Sequence, residues 1–176
     1  MRGFKRRRIS FGLMATDPLA GYRVLGFDLE TTGFSPSKHR IVQYALVGCD
    51  EDGTSMYTEE LVNPQMRIPI ETTRVHGIND GDVRNMPQFS EYVSQISAAM
   101  EGAVIVGHNV DKFDWPFLRA EFLRAGQPMP KPLAILDTLS IARKLKIPPS
   151  HKLGSLLSLI HISEPTRRTP ISYAVF

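Results

Sequence analysis

Apolar residues recur along this chain with two different periods, and the switch between them predicts a layered α/β domain. The segment YRVLGFDLE (22–30) is short and nearly continuously apolar up to its acids, which predicts a buried strand. HRIVQYALVGCD predicts a second strand, and TSMYTEELV a third with apolar and polar residues alternating near its start. The Asp-Gly of CDEDGTS is a turn signal that joins these two as a hairpin. The following stretch, NPQMRIPIETTRVHGINDGDVRNMP, is too polar and broken for regular structure and predicts a long loop of the kind that carries function. The period then changes. In QFSEYVSQISAAMEG, Phe89, Val93, Ile96 and Met100 recur at helical spacing and the segment closes on Gly102. AVIVGHN predicts a buried strand, and FDWPFLRAEFLRAGQP a helix with Pro116 in its first turn and Gly126 as its stop. LAILDT predicts a fifth strand, LSIARKLK a helix, and HKLGSLL the start of another. A hairpin followed by alternating strand and helix predicts an α/β domain whose last strands are parallel.

The chain has 176 residues, 42% of them apolar, enough for one buried core. No apolar run reaches the ~18 residues of a membrane helix, and MRGFKRRRISFGLMA is too interrupted for a secretory signal, so a cytoplasmic protein without a membrane partner is expected. Cys49 is the only cysteine, which excludes an internal disulfide and any multi-cysteine zinc site. A metal here would be held by oxygen, or by oxygen with histidine. The net charge of +3 misleads about nucleic acid, because it comes from the ends. Arg2, Lys5, Arg6, Arg7 and Arg8 stand in the first 13 residues without an acid, and Arg167 and Arg168 face only Glu164 near the other end. The remainder holds 14 basic and 17 acidic residues. Residues 1–20 are a basic extension with three readings: translation upstream of a start at Met14, a disordered tail, or a phosphate-binding arm.

Two constellations carry chemistry. In GFDLETTGF, Asp28 and Glu30 stand two apart on a predicted strand and so share a face. Charges this close repel unless a cation lies between them, and a hard divalent ion bound through oxygen, Mg²⁺ or Mn²⁺, meets that need. Two solvated acids on an exposed strand are the simpler reading, but the apolar VLGF before them marks a central strand, where solvated acids are unusual. The TTG that follows is a turn where backbone can approach a ligand. In VIVGHNVDKFDWPFL, His108, Asn109, Asp111 and Asp114 stand where a buried strand ends and a helix begins, the place where open α/β sheets bind ligands.

Together these motifs resemble those of the DEDDh 3′-to-5′ exonucleases, the DnaQ-like group that includes the proofreading epsilon subunits of bacterial replicative polymerases, ribonuclease T and oligoribonuclease. FDLETTG is similar to the first motif of that family, with Asp28 and Glu30 at its first two metal-binding positions. GHNVDKFDWPFL is similar to the second. Three residues separate His-Asn from Phe-Asp where the family more often has two, so Asp111 and Asp114 both stand as candidates for the third acid, and the FDxxFL context selects Asp114. TTRVHGIND resembles the segment beside the terminal nucleotide, which makes Val75, His76, Gly77 and Ile78 candidate substrate contacts, together with Thr31, Thr32, Gly33, Phe34, His108 and Asn109. The resemblance covers residues 22 to about 156. It implies a ribonuclease H-like fold, a mixed five-stranded sheet flanked by helices with its first three strands antiparallel. It also implies two divalent ions held by Asp28, Glu30 and Asp114, and hydrolysis at a single-stranded 3′ end, of DNA by preference, with RNA trimming as the alternative and a DNA polymerase as a partner. A non-catalytic nucleic-acid-binding module is the reading from another class.

The third motif of the family, a His with an Asp five residues later, supplies a general base and a fourth metal ligand. His151 plus five is Leu156 and His161 plus five is Thr166, so neither fits. The segment LSLIHISEPTRRTPISYAVF (157–176) resembles a translated sequencing adapter. The expectation is an incomplete exonuclease domain over residues 21–156, followed by a non-native tail, and a chain that is nearly inactive for want of the third motif.

Overall fold

The computed structural model describes residues 19–147 and 150–159. The expectations for residues 1–18 and for residues 160–176 lie outside the described residues. Within them, five strands form one sheet in the order β3-β2-β1-β4-β5, with β1 (Val24–Thr31) at its centre. β2 (Ile41–Cys49) runs antiparallel to β1, and β3 (Ser55–Leu61) antiparallel to β2. β4 (Val104–Gly107) and β5 (Ala134–Asp137) extend the sheet on the other side in parallel. This is the mixed sheet expected, and its parallel half follows from the helical connection between β4 and β5.

The hairpin between β2 and β3 closes as the Asp-Gly predicts. Gly53 takes φ +81°, its amide donates to the Asp50 carbonyl, and the Thr54 amide donates to Asp52 Oδ1. The long polar stretch differs from expectation, because it contains two short helices, α1 (Ile70–His76) and α2 (Asp80–Val83). Their end chemistry outweighs their weak apolar pattern. Glu71 stands in the first turn of α1, Arg74 and His76 in its last, and Gly77 ends it in the left-handed region. Asn79 and Asp82 form a reciprocal capping box on α2.

The core explains the helices that follow. Leu25, Phe27 and Leu29 alternate along β1 and are almost fully buried with Tyr44 and Leu46 of β2. Against them pack Phe89, Val93, Ile96 and Met100 of α3 (Phe89–Met100), and Phe117, Leu118 and Phe122 of α4 (Asp114–Arg124). Each such side chain contributes roughly 1.5–3 kcal/mol when fully buried. α5 (Thr138–Lys144) follows β5 directly, and α6 spans Leu153–Leu159. No helix among the described residues is long and apolar enough to cross a membrane.

Candidate active site at the strand ends

The alternation that buries Leu25, Phe27 and Leu29 turns Asp28 and Glu30 to the opposite face of β1. β1 pairs with β4 only over Val24–Gly26, while its pairing with β2 continues to Thr31. The half of β1 that bears the acids therefore has a strand on one side only, and a cleft opens on the other. Asp28, His108, Thr138 and Leu153 are among its lining residues. Gly107 is required where β4 turns away, since a Cβ there would come within 2.7 Å of Val110 and 3.0 Å of the Phe27 carbonyl oxygen.

Asp114 opens α4 and is only 2% exposed, whereas Asp111 is exposed. Its Oδ1 is buried without a hydrogen-bond partner. An orphaned carboxylate oxygen at such depth is costly unless a proton or a cation meets it. Burial first, and then the charges of Asp28 and Glu30, raise the Asp114 carboxyl to about 8. Burial likewise pushes Asp28 up to about 6, and burial together with the Asp28 charge pushes Glu30 up to about 7. These three acids are thus electrostatic neighbours that resist being charged together. Among the described residues no group of three His, Cys, Asp or Glu side chains is already arranged as a metal cage. What the three acids present is a deficit of positive charge in an all-oxygen donor set, which suits Mg²⁺ or Mn²⁺.

The turn after β1 is tightly tied. Thr31 Oγ1 donates to the Gly33 carbonyl at 2.7 Å, and Thr32 exchanges two bonds with Arg40, amide to carbonyl at 2.9 Å and hydroxyl from amide at 3.0 Å. Gly33 lies against the His39 ring, which a Cβ would approach to 2.6 Å. Phe34 emerges from this turn 84% exposed, with its ring centroid 6.3 Å from that of Phe113, which in turn lies 5.2 Å from Phe117 in the core. An exposed aromatic ring is thereby anchored through a second ring to α4.

Arg40 connects this turn to Asp114. Its guanidinium donates to both oxygens of Glu121, at 2.6 and 3.0 Å, and Glu121 is 1% exposed and also receives Arg124 at 3.2 Å. Glu121 stands seven residues after Asp114, two turns along the same face of α4. The bidentate pair thus locks the helix bearing one acid to the turn after the other two. Sequence reasoning missed both residues, since a Glu within LRAEFLR reads as a solvated helix face.

The remaining candidates fall on two sides of the cleft. His76 Nδ1 accepts from the Ile78 amide at 3.1 Å, and the Thr31 backbone lies close enough to favour its protonated form, although burial lowers its pKa overall. The VHGI segment is so held beside the TTG turn, with Val75 and Gly77 exposed and Ile78 buried. On the other side, Thr138 Oγ1 donates to the Gly107 carbonyl at 3.1 Å, so the 3.0 Å contact from His108 Nδ1 has nitrogen as donor. Asn109 takes φ +65° as the chain leaves β4. The structure thus brings Asp28, Glu30 and Asp114 into electrostatic contact, sets His76 beside Thr31, and lines the cleft with His108.

The chain is similar to known proteins in sequence and in fold. A sequence model of the exonuclease family matches residues 25–167. DNA polymerase III subunit epsilon of Treponema pallidum is 34% identical over 117 residues, covering 66% of this chain and 54% of that protein. The 3′-5′ exonuclease DinG of Bacillus subtilis is 31% identical over 122 residues, covering 69% of this chain and 13% of that protein. The chain therefore spans about half of the first of these relatives and far less of the second. Among solved structures, E. coli Exonuclease I in complex with a dT13 oligonucleotide superposes with a TM-score of 0.73 at 19% identity, over 86% of this chain and 39% of the other, which establishes likeness of fold.

Proposed function

Because the chain belongs to the exonuclease family, the DnaQ-like 3′-to-5′ group, we propose that its strand-end acids serve metal-dependent hydrolysis of phosphodiesters at the single-stranded 3′ end of DNA. The observation that carries this reading is the orphaned Oδ1 of buried Asp114, set among acids that Asp28 and Glu30 complete. Exonucleases of this family use divalent metal ions. Two of them, Mg²⁺ or Mn²⁺, when bound, supply charge neutralisation for the phosphate and a water of lowered pKa. Asp28, Glu30 and Asp114 would hold these ions, and Asp28 is the acid whose charge bears on both of the others.

The other candidates hold substrate. Phe34 offers a ring face for the terminal base, and stacking suits an enzyme indifferent to base identity. The tied TTG turn and the VHGI segment flank it, while His108 and Asn109 line the exit from β4. Relatives named as DNA polymerase III subunit epsilon and DNA polymerase III PolC-type support DNA as substrate and a polymerase as partner, and on this reading the domain proofreads in the cytoplasm. Among the residues given, none supplies the His and Asp spaced by five that complete the family site, so the chain as it stands turns over slowly, and a version extended by that motif turns over fast.

The test incubates the extended chain with 5′-labelled single-stranded DNA, a mismatched primer and short RNA in Mg²⁺ or Mn²⁺. The expected product is a ladder shortened from the 3′ end, fastest on DNA and lost in Asp28→Asn. Shortening that persists in chelator, or in Asp28→Asn, refutes the metal reading. A preference for RNA moves the assignment to RNA trimming.

A further inference from the structure

We infer that Asp137, the N-cap of α5, is a positioning residue for the third acid, holding the exit from β4 so that α4 begins where Asp114 meets Asp28 and Glu30. This rests on the proposed metal site. Asp137 is 5% exposed, and its carboxylate receives backbone amides from two separate segments. Leu139 and Ser140 of α5 donate to Oδ1 at 2.9 and 3.2 Å, which is ordinary capping. Asn109 also donates to Oδ1, at 3.0 Å, and Asp111 to Oδ2 at 3.4 Å, from 28 and 26 residues earlier in the chain. Capping α5 needs only the first pair.

The second pair reaches Asp114 through backbone. With its amide held and φ at +65°, Asn109 presents its carbonyl to the amides of Lys112 and Phe113, at 3.1 and 3.0 Å. The Val110 carbonyl accepts from Trp115 at 2.9 Å. Phe113 and Trp115 bracket Asp114, so the 109–111 segment tied by Asp137 holds the residue between them. Next to it, Thr138 holds the Gly107 carbonyl and His108 at the same exit. Asn tolerates the left-handed region better than most side chains, so Asn109 adopts it at little cost. The bonds from the Asn109 and Asp111 amides to Asp137 then hold the turn in that conformation.

Two substitutions separate capping from positioning. In Asp137→Ser the hydroxyl still caps α5 but is too short to reach Asn109 and Asp111. In Asp137→Asn one acceptor remains and an NH₂ faces the Asp111 amide. Trp115 is the only tryptophan of the chain, so its fluorescence and its quenching by acrylamide report the start of α4. The full chain is compared with both variants by Trp115 quenching, by Mn²⁺ affinity from electron paramagnetic resonance, and by thermal unfolding. In Asp137→Ser the expected result is greater Trp115 quenching and Mn²⁺ binding about tenfold weaker, with cooperative unfolding retained at a lowered midpoint. Unchanged quenching and affinity in folded Asp137→Ser overturn the inference. If Asp137→Ser does not fold, Asp137→Asn decides on the same two readouts. Asp28→Asn serves as control: equal Mn²⁺ binding by it and the parent removes the metal site, and Trp115 quenching alone then decides whether Asp137 sets the start of α4.

Discussion

Asp114 and Asp137 each stand at the first turn of a helix that follows a parallel strand, and each is nearly inaccessible, at 2% and 5% exposure. Their ionisation goes in opposite directions. Burial and two acidic neighbours push Asp114 up to about 8, with one oxygen unpartnered. Burial also disfavours the charge of Asp137, yet backbone amides from four residues outweigh it and hold the carboxyl below its usual range. Depth alone therefore does not decide the state of a buried carboxylate; the supply of donors does. The exit from β4 and the start of α5 give four amides to Asp137, whereas the backbone hydrogen bonds of Leu29 and Asp114 leave one Asp114 oxygen unpartnered and do not offset its burial, which on the proposed reading makes one acid structural and the other a cation ligand.

The largest expected effect concerns a third acid of the satisfied kind. Glu121 is paired with Arg40 and Arg124, and Glu121→Ala leaves an Arg40 guanidinium, partly buried, without its partner. Loss of one member of a buried pair costs about 3–5 kcal/mol, and urea denaturation of Glu121→Ala is expected to show a loss of that order. A loss within surface-mutation range makes the lock between α4 and the TTG turn energetically idle. Next comes Asp114→Asn, which is expected to weaken Mn²⁺ binding, and to slow hydrolysis by the extended chain, by about a hundredfold or more. The same substitution removes a repelled charge, so above pH 8 it raises the unfolding midpoint of the metal-free protein, whereas Asp137→Asn lowers it. Equal signs for the two variants break the distinction between them.

Stability against pH sharpens the contrast further. Asp28, Glu30 and Asp114 have folded values of about 6, 7 and 8 against ordinary values of 3.8, 4.5 and 3.8. The folded state binds these protons more tightly than the unfolded chain, so protonation favours folding. Stability from these groups is fully present below the ordinary values and is lost as pH rises through 6, 7 and 8. The metal-free midpoint is expected to fall by several degrees between about pH 5 and pH 8, and saturating Mg²⁺ to reverse the fall at the upper end. A flat profile without metal contradicts the repulsion among the three acids. Asp137 acts with the opposite sign, contributing stability that is lost as pH falls through its depressed value, below that window.

These differences also explain what could be read in advance. Asp28 and Glu30 were legible because a period of two fixes their shared face whatever lies around them. The five strands, α3 and α4 were legible for the same reason, as local periodicity or as a turn signal. α1 and α2 were hidden, because their stability comes from Gly77 in the left-handed region and the Asn79–Asp82 box rather than from an apolar face. Asp137 was hidden because LDT reads as an ordinary helix start, and its distant amides arrive only through the parallel pairing of β4 with β5. Glu121 was hidden for a similar reason: its partner Arg40 is 81 residues away.

The smallest expected effect separates charge at this site from contact with substrate. Phe34 touches none of the three acids by charge, and at 84% exposure it adds little to the core. Its ring is placed by Phe113, the residue before Asp114, so the same start of α4 that offers an acid also supports a stacking face. Phe34→Ala is expected to leave Mn²⁺ affinity and the unfolding midpoint unchanged, while single-stranded DNA binds about fivefold more weakly by fluorescence anisotropy, roughly 1 kcal/mol for one stacked base. Because stacking is indifferent to sequence, oligo(dT) and oligo(dA) should lose affinity alike. A loss confined to one of them assigns Phe34 to base selection instead, and a fall in Mn²⁺ affinity means that the ring supports the acids rather than the substrate.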